Sequence, residues 1–233
     1  MTTGLRSSAT LLRRLAAFGV WWVAAASFGA GGGGGGGGMA GGSSSSPRDI
    51  AAAHFMKGES YRKAGLEALE SAQAATTDEE RSEALAKASE KWKRALREYR
   101  EATRADRSIH QAWNGMGFAQ RMLGDFDASL ASYDRALKLE PGFPNAIEYR
   151  AEAYLMLGRL DDAKAAYLDL FGRERAFADL LLRKMQAWLQ LQRSQPSADA
   201  THLDAFAKWI DERAAIAQQT ASLAPEASVV ASW

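Results

Sequence analysis

The feature that most constrains this 233-residue chain is an internal repeat with a period of 34 residues. The segments that begin at His110 and Pro144 align without a gap. The aligned pairs are Trp113 with Ile147, Gly117 with Ala151, Leu123-Gly124 with Leu157-Gly158, Phe126 with Leu160, Tyr133 with Tyr167 and Ala136 with Leu170. Apolar residues at helical spacing predict two helices in each segment, and the Leu-Gly pair suits the end of the first helix. A single hairpin of this kind cannot bury its own apolar stripe, so neighbouring hairpins must stack.

This pattern resembles the tetratricopeptide repeat, a helix hairpin of the same period. The matching segments are 110–143 and 144–177, and Pro141 closes the first of them after its second helix. The resemblance implies an all-α fold, an α-solenoid of stacked hairpins. In such a stack the first helix of each hairpin lines a concave groove. The alternative is an ordinary helical bundle with a coincidental repeat.

The segments on either side predict two further hairpins within a domain that spans 48–222. Four residues of the upstream segment, 50–109, lie one period before Phe126, Ser129, Tyr133 and Ala136, namely Trp92, Ala95, Tyr99 and Ala102. This hairpin is longer than the others, and Thr77 with Glu80 predicts a capping box at the start of its second helix. The extra residues, 67–90, are expected to project as a spur, either a docking arm or a plain insertion.

Downstream, 178–222 lacks the Leu-Gly pair and predicts a degenerate or capping hairpin, because terminal repeats have one face in water. The residues that follow, 223–233, show no clear helical pattern and predict a flexible tail.

The amino terminus has the pattern of a targeting segment. Arg6, Arg13 and Arg14 precede an apolar run over 15–28, which is shorter than the roughly 20 residues of a membrane-spanning helix. We therefore predict a secretory signal peptide over 1–30, with an uncleaved signal anchor as the alternative. The Gly/Ser-rich segment 31–47 predicts a disordered linker. These features predict export to the periplasm, or an inner-membrane anchor that leaves the domain facing the periplasm.

Charge and composition exclude several classes of function. Loss of three leader arginines changes the formal net charge from +1 to −2, which argues against nucleic-acid binding and gives no reason to invoke anionic lipid. The chain has no cysteine, so disulfides, thiolate metal sites and cysteine nucleophiles are absent. Its three histidines, His54, His110 and His202, have no ligand-like spacing. We expect a non-enzymatic protein without a metal or cofactor.

A binding role on the concave face is the remaining prediction. The residues expected to face the groove are Gln111, Asn114, Phe118, Arg121, Asn145, Glu148, Glu152 and Leu155. Family members that grip a carboxyl-terminal carboxylate use lysine and asparagine there. Only Asn114 and Arg121 fit that pattern, so no such clamp is expected. A mixed polar and aromatic groove favours a helix or an extended segment of another protein.

The sequence therefore predicts a protein–protein interaction scaffold of the bacterial cell envelope. The alternative is a membrane-tethered structural subunit of an envelope complex. Membrane contact is expected only if the amino-terminal segment stays uncleaved. Homo-oligomerisation through the spur or the last hairpin is left open, with Trp188 and Trp209 as candidate contacts.

Overall fold

A computed structural model describes residues 46–195 and 200–223, and within these ranges it contains eight α-helices and no strand. The helices are α1 (Pro47–Ala74), α2 (Asp78–Ala105), α3 (His110–Met122), α4 (Phe126–Leu139), α5 (Pro144–Met156), α6 (Leu160–Arg173), α7 (Arg175–Arg193) and α8 (Ala200–Leu223). None of these described helices is both long and apolar enough to cross a membrane. The predicted leader, nearly all of the linker and the residues after 223 lie outside the described ranges.

The helices form four antiparallel hairpins that stack in chain order. Each helix contacts the next one along the chain, and α1, α3, α5 and α7 also contact one another in succession. These four helices therefore lie side by side on one face, which we call the inner face. The predicted α-solenoid of tetratricopeptide-like hairpins is confirmed.

The turns within the two central hairpins follow the Leu-Gly signal. Leu123 and Leu157 cap α3 and α5, and the glycines after them, Gly124 and Gly158, have φ values of 83° and 71°. This left-handed region is strained for residues with a Cβ atom, so glycine is suited to the position. The predicted helix ends are confirmed.

The first hairpin repeats the packing of the second although its turn differs. A Cβ atom on Gly117 would lie 2.6 Å from Cε1 of Tyr133, and one on Gly58 would lie 2.6 Å from Cε1 of Tyr99. Both tyrosines are completely buried. In each hairpin a glycine of the first helix therefore lets a tyrosine ring of the second helix pack directly on the backbone of the first helix.

The lengthened first hairpin is also confirmed, since α1 and α2 have 28 residues each whereas α3 and α4 have 13 and 14. The predicted capping box is present: the Glu80 backbone N–H donates to Thr77 Oγ1 at 3.2 Å, and the Thr77 N–H donates to Glu80 Oε2 at 3.2 Å. These two bonds satisfy helix-terminal donors that would otherwise lack a partner.

Part of the extension packs on the stack instead of projecting from it. Ala68, Leu69 and Ala88 are buried in one apolar cluster with Trp92 and Phe118. The spur predicted over 67–90 is therefore anchored at its base to α3.

The last hairpin closes the carboxyl-terminal end of the stack. Trp188 of α7 packs edge-on against Phe206 of α8, with ring centroids 5.8 Å apart. Opposite positions of α8 carry exposed polar residues such as Asp204, Lys208 and Asp211. This division suits a terminal hairpin, because one of its faces has no neighbour to cover it. Residues 196–199 between α7 and α8 lie outside the described ranges.

Candidate functional site

The eight residues predicted to face the groove all lie on α3 and α5 of the inner face, but they differ in exposure. Gln111 is exposed, and Asn114 and Asn145 are half-buried. The other five are at most 5% exposed: Phe118, Arg121, Glu148, Glu152 and Leu155. The structure thus does not present the eight side chains as one open surface.

The charged residues among them are held in a buried ion cluster. Lys184 of α7 reaches α5, where its Nζ lies 2.6 Å from Glu148 Oε1 and also contacts Glu152 Oε1. From α3, Arg121 Nη1 lies 2.7 Å from Glu152 Oε2. We call these four side chains the ion cluster. Removing one member would leave an uncompensated buried charge, which is strongly unfavourable. These side chains therefore have a structural role.

Burial and the neighbouring opposite charges shift the pKa values of Glu152 and Lys184 in opposite directions. Complete burial raises the pKa of Glu152 well above its usual range, and the neighbouring Arg121 offsets only part of that rise. For Lys184, burial alone would lower the pKa, but the carboxylates of Glu148 and Glu152 outweigh it and raise the pKa. The lysine is therefore charged at neutral pH, whereas Glu152 takes up a proton at a higher pH than an exposed glutamate.

Aromatic rings connect the ion cluster to the first hairpin. The guanidinium carbons of Arg62 and Arg121 lie over the Phe118 ring, 5.0 and 5.3 Å from its centroid. The Tyr149 ring follows, 5.4 Å from Arg121 and 5.8 Å from Lys184 Nζ. Cations over aromatic faces attract the ring quadrupole. We call these five side chains the cation–aromatic ladder; it crosses α1, α3, α5 and α7 and fills the floor of the inner face.

The ladder is fixed to the tyrosines of the hairpin cores. Tyr133 Oη accepts a hydrogen bond from Arg121 Nε at 3.3 Å. At the other end, Arg62 pairs with Glu59 at 3.2 Å, and Glu59 accepts a hydrogen bond of 2.5 Å from Tyr99 Oη. The floor of the inner face is therefore tied to two hairpin cores by side-chain hydrogen bonds.

The three amide side chains of the predicted set behave differently from the charged ones. Within the described part of the chain, the side chains of Gln111, Asn114 and Asn145 make no hydrogen bond. The Asn114 Oδ1 atom is buried without a partner, an arrangement that costs about 1–3 kcal/mol. Side-chain amides can both donate to and accept from a peptide backbone. These amides are therefore the part of the inner face with unused hydrogen-bonding capacity.

Leu155 lies in the hydrophobic core. It is 1% exposed and belongs to the same apolar cluster as Tyr167 and Leu181. Its contacts are those of a core residue between α5 and the helices that follow.

Three members of the ladder were not among the predicted site residues: Arg62, Tyr149 and Lys184. One feature of the sequence could have indicated them, namely the pair Glu148 and Glu152. These two carboxylates lie one helical turn apart on a helix face that stacking partly buries. Such a pair requires cations nearby, but the amino-acid sequence does not indicate which helix supplies them.

Among the described residues, no group of three or more histidine, aspartate or glutamate side chains is arranged to hold a metal ion.

Comparisons with known proteins agree with the repeat pattern. Residues 110–143 match a family model described as tetratricopeptide repeat, and residues 132–165 match a second model of the same description. Repeats of this family generally mediate protein–protein interactions, and the matched segments cover less than half of the chain. No curated protein sequence matches the chain.

Among solved structures, the chain is similar to one titled "Crystal structure of MamA protein". The two share 17% sequence identity with a TM-score of 0.44, over 78% of this chain and 98% of that chain.

Proposed function

We propose that this protein is a non-enzymatic interaction scaffold of the bacterial cell envelope that binds a helix or an extended segment of another protein on its inner face. The observation that carries the proposal is the set of three amides, Gln111, Asn114 and Asn145, which share this face and lack intramolecular hydrogen bonds. Repeats of the matched family supply the general role in protein–protein interaction.

The burial of the ion cluster and of Phe118 restricts the part of the inner face on which a partner can bind. Phe118, Arg121, Glu148 and Glu152 are buried, so a ligand would contact them only after the fold had opened. Gln111 needs no such change because it is exposed, and Asn114 and Asn145 are half-buried, with the Oδ1 atom of Asn114 itself buried. The proposed site is therefore the polar edge of α3 and α5 above the ladder.

The envelope location is proposed from the sequence of the amino terminus. Arginines before an apolar run over 15–28, followed by small residues, favour export through a signal peptide. Cell fractionation together with amino-terminal sequencing of the mature protein tests this. A mature amino terminus at residue 27 or 30 in a periplasmic extract supports a cleaved leader, and an intact amino terminus in the membrane fraction supports the tethered form.

The binding site is tested by crosslinking in intact cells followed by affinity purification and mass spectrometry. The test variant is the triple substitution Gln111→Ala, Asn114→Ala and Asn145→Ala. A matched control removes three exposed amides elsewhere, at Gln190, Gln195 and Gln218.

We expect the control to retain the crosslinked partner and the test variant to lose it, with helical content unchanged in both. A partner retained by both folded variants would contradict a binding site at the amides.

A further inference from the structure

One exposed stripe of α2 is divided by charge along its length. Its residues recur at steps of three and four positions, so they share one side of the helix. They are Glu79, Glu83, Ala86, Glu90, Lys93, Arg97, Arg100 and Arg104, and all of them are exposed. We call this set the charged stripe. Its amino-terminal half is acidic and its carboxyl-terminal half is basic, although the whole chain is close to neutral.

The stripe is only partly paired within the protein: Arg104 of the basic half pairs with Glu101, and Glu90 of the acidic half pairs with Arg94. Across the described residues, Lys93, Arg97 and Arg100 have no ion-pair partner. Lys93 and Arg97 are like charges four positions apart, a spacing that destabilises a helix. The helix dipole favours cations only in the last turn, and both residues lie more than a turn before the end of α2. Contacts within one chain therefore do not explain the positions of Lys93, Arg97 and Arg100.

We propose that the charged stripe is the contact surface of a homodimer in which α2 pairs with α2 of a second copy in antiparallel orientation. A two-fold axis between residues 91 and 92 would place Lys93 opposite the partner's Glu90, Arg100 opposite the partner's Glu83, and Arg104 opposite the partner's Glu79. Symmetry makes each pair occur twice. Arg97 would face the partner's Ala86, where the small side chain leaves room for a guanidinium.

A second copy accounts for both halves of the stripe at once. An anionic lipid surface would attract the basic half but repel Glu79, Glu83 and Glu90. A purely acidic protein would have the same difficulty. Two copies of this chain complement each other along the full stripe, and their small net charge gives little overall repulsion.

The first test is sedimentation of the full chain at about 50 mM and about 500 mM salt, because ion pairs between exposed groups weaken on screening. The acid-reversed variant carries Glu79→Lys, Glu83→Lys and Glu90→Lys. The base-reversed variant carries Lys93→Glu, Arg100→Glu and Arg104→Glu. We expect wild type to dimerise at low salt, and each variant alone to dimerise at least about tenfold more weakly.

An equimolar mixture of the two variants restores opposite charges across the contact. We expect it to form a mixed dimer, with circular dichroism showing that each variant is folded. A wild type that is monomeric at low salt would overturn the proposal, as would a dimer that survives both reversals. Binding to phosphatidylglycerol vesicles that depends on the basic half, without dimerisation, would assign the stripe to a membrane instead.

The second test uses the absence of cysteine from the chain. Residues 86 and 97 lie about 16 Å apart along α2, too far for a disulfide within one copy. In the proposed register Ala86→Cys of one copy faces Arg97→Cys of the other. We expect oxidation to link the double variant into a covalent dimer far more completely than either single variant. Equal crosslinking of the single variants would contradict this register.

Discussion

The substitution Gly115→Ala tests a close contact between a helix backbone and an aromatic ring in the amino-terminal half of the stack. A Cβ atom on Gly115 would lie 2.5 Å from Cε1 and 2.6 Å from Cζ of Tyr99. Since carbon atoms pack at about 3.5–4.0 Å, the ring would have to move by about 1 Å. The backbone at Gly58 approaches the same ring, since a Cβ atom there would lie 2.6 Å from Cε1, and Glu59 accepts a hydrogen bond of 2.5 Å from the Tyr99 hydroxyl. These contacts confine the ring.

The size of the effect follows from two opposing contributions. Overpacking of this kind costs about 1–3 kcal/mol, and the upper part of that range applies because the ring is confined. Alanine in a helix recovers about 1 kcal/mol relative to glycine. We expect a net loss of about 2 kcal/mol in the free energy of unfolding, or a Tm lower by about 4–8 °C.

The assay is urea unfolding followed by circular dichroism, with Gly172→Ala as the matched control. Gly172 is in α6, and its added Cβ meets nothing within 4 Å, so the control should be neutral or slightly stabilising. Combining Gly115→Ala with Tyr99→Leu should give less than the sum of the two single losses, because the clash is relieved. If Gly115→Ala stabilises the protein as the control does, the close approach of Tyr99 is refuted.

Three further predictions concern the ion cluster and the first hairpin. Lys184→Met should lower the free energy of unfolding by about 3 kcal/mol, because Glu148 and Glu152 are 0% exposed and lose a cation. The exposed control Lys208→Met should change it by less than about 0.5 kcal/mol, and equal effects in urea unfolding would contradict the cluster. Burial raises the pKa of Glu152 above its ordinary value of 4.5, so protonation of Glu152 favours the folded state. This contribution to the free energy of unfolding is fully present below pH 4.5 and is lost as the pH rises through the pKa of Glu152 in the folded state. Glu152→Gln should therefore flatten the dependence of unfolding free energy on pH above about 4.5, and an unchanged profile would show that Glu152 does not titrate as inferred. Thr77→Ala removes the capping acceptor of α2 and should cost about 1 kcal/mol, which thermal unfolding would measure, whereas the exposed Thr76→Ala should cost less.

The hairpins could be predicted from the sequence because their signals are local. Gly117 and Tyr133 meet within one hairpin, and the Leu-Gly pairs fix the helix ends by backbone geometry. The capping box at Thr77 likewise depends on residues three positions apart. Each of these features is determined by neighbours in sequence, so the repeat period was sufficient to find them.

The state of the inner face could not be predicted in the same way. Whether Glu152 faces solvent or a cation depends on how α7 packs against α5, and α7 has no Leu-Gly signal to set its register. Lys184 lies 32 positions after Glu152 and closes the cluster from that helix. The prediction of groove residues used the repeat pattern as a guide to exposure, but the packing of α7 against α5 decides whether Glu148 and Glu152 are exposed.

The cation–aromatic ladder has a consequence for how such a chain can evolve. Repeat arrays commonly lengthen by duplication of a whole hairpin, which works when each hairpin offers its neighbours the same side chains. The ladder does not follow the repeat: one period after Phe118 stands Glu152, and one period before Tyr149 stands Gly115. A duplicated hairpin would separate rings from their cations and leave buried charges unmatched. We expect descendants of this gene to differ in the length of the first hairpin, because residues can be inserted at its tip without disturbing the ladder. The number of hairpins should stay the same.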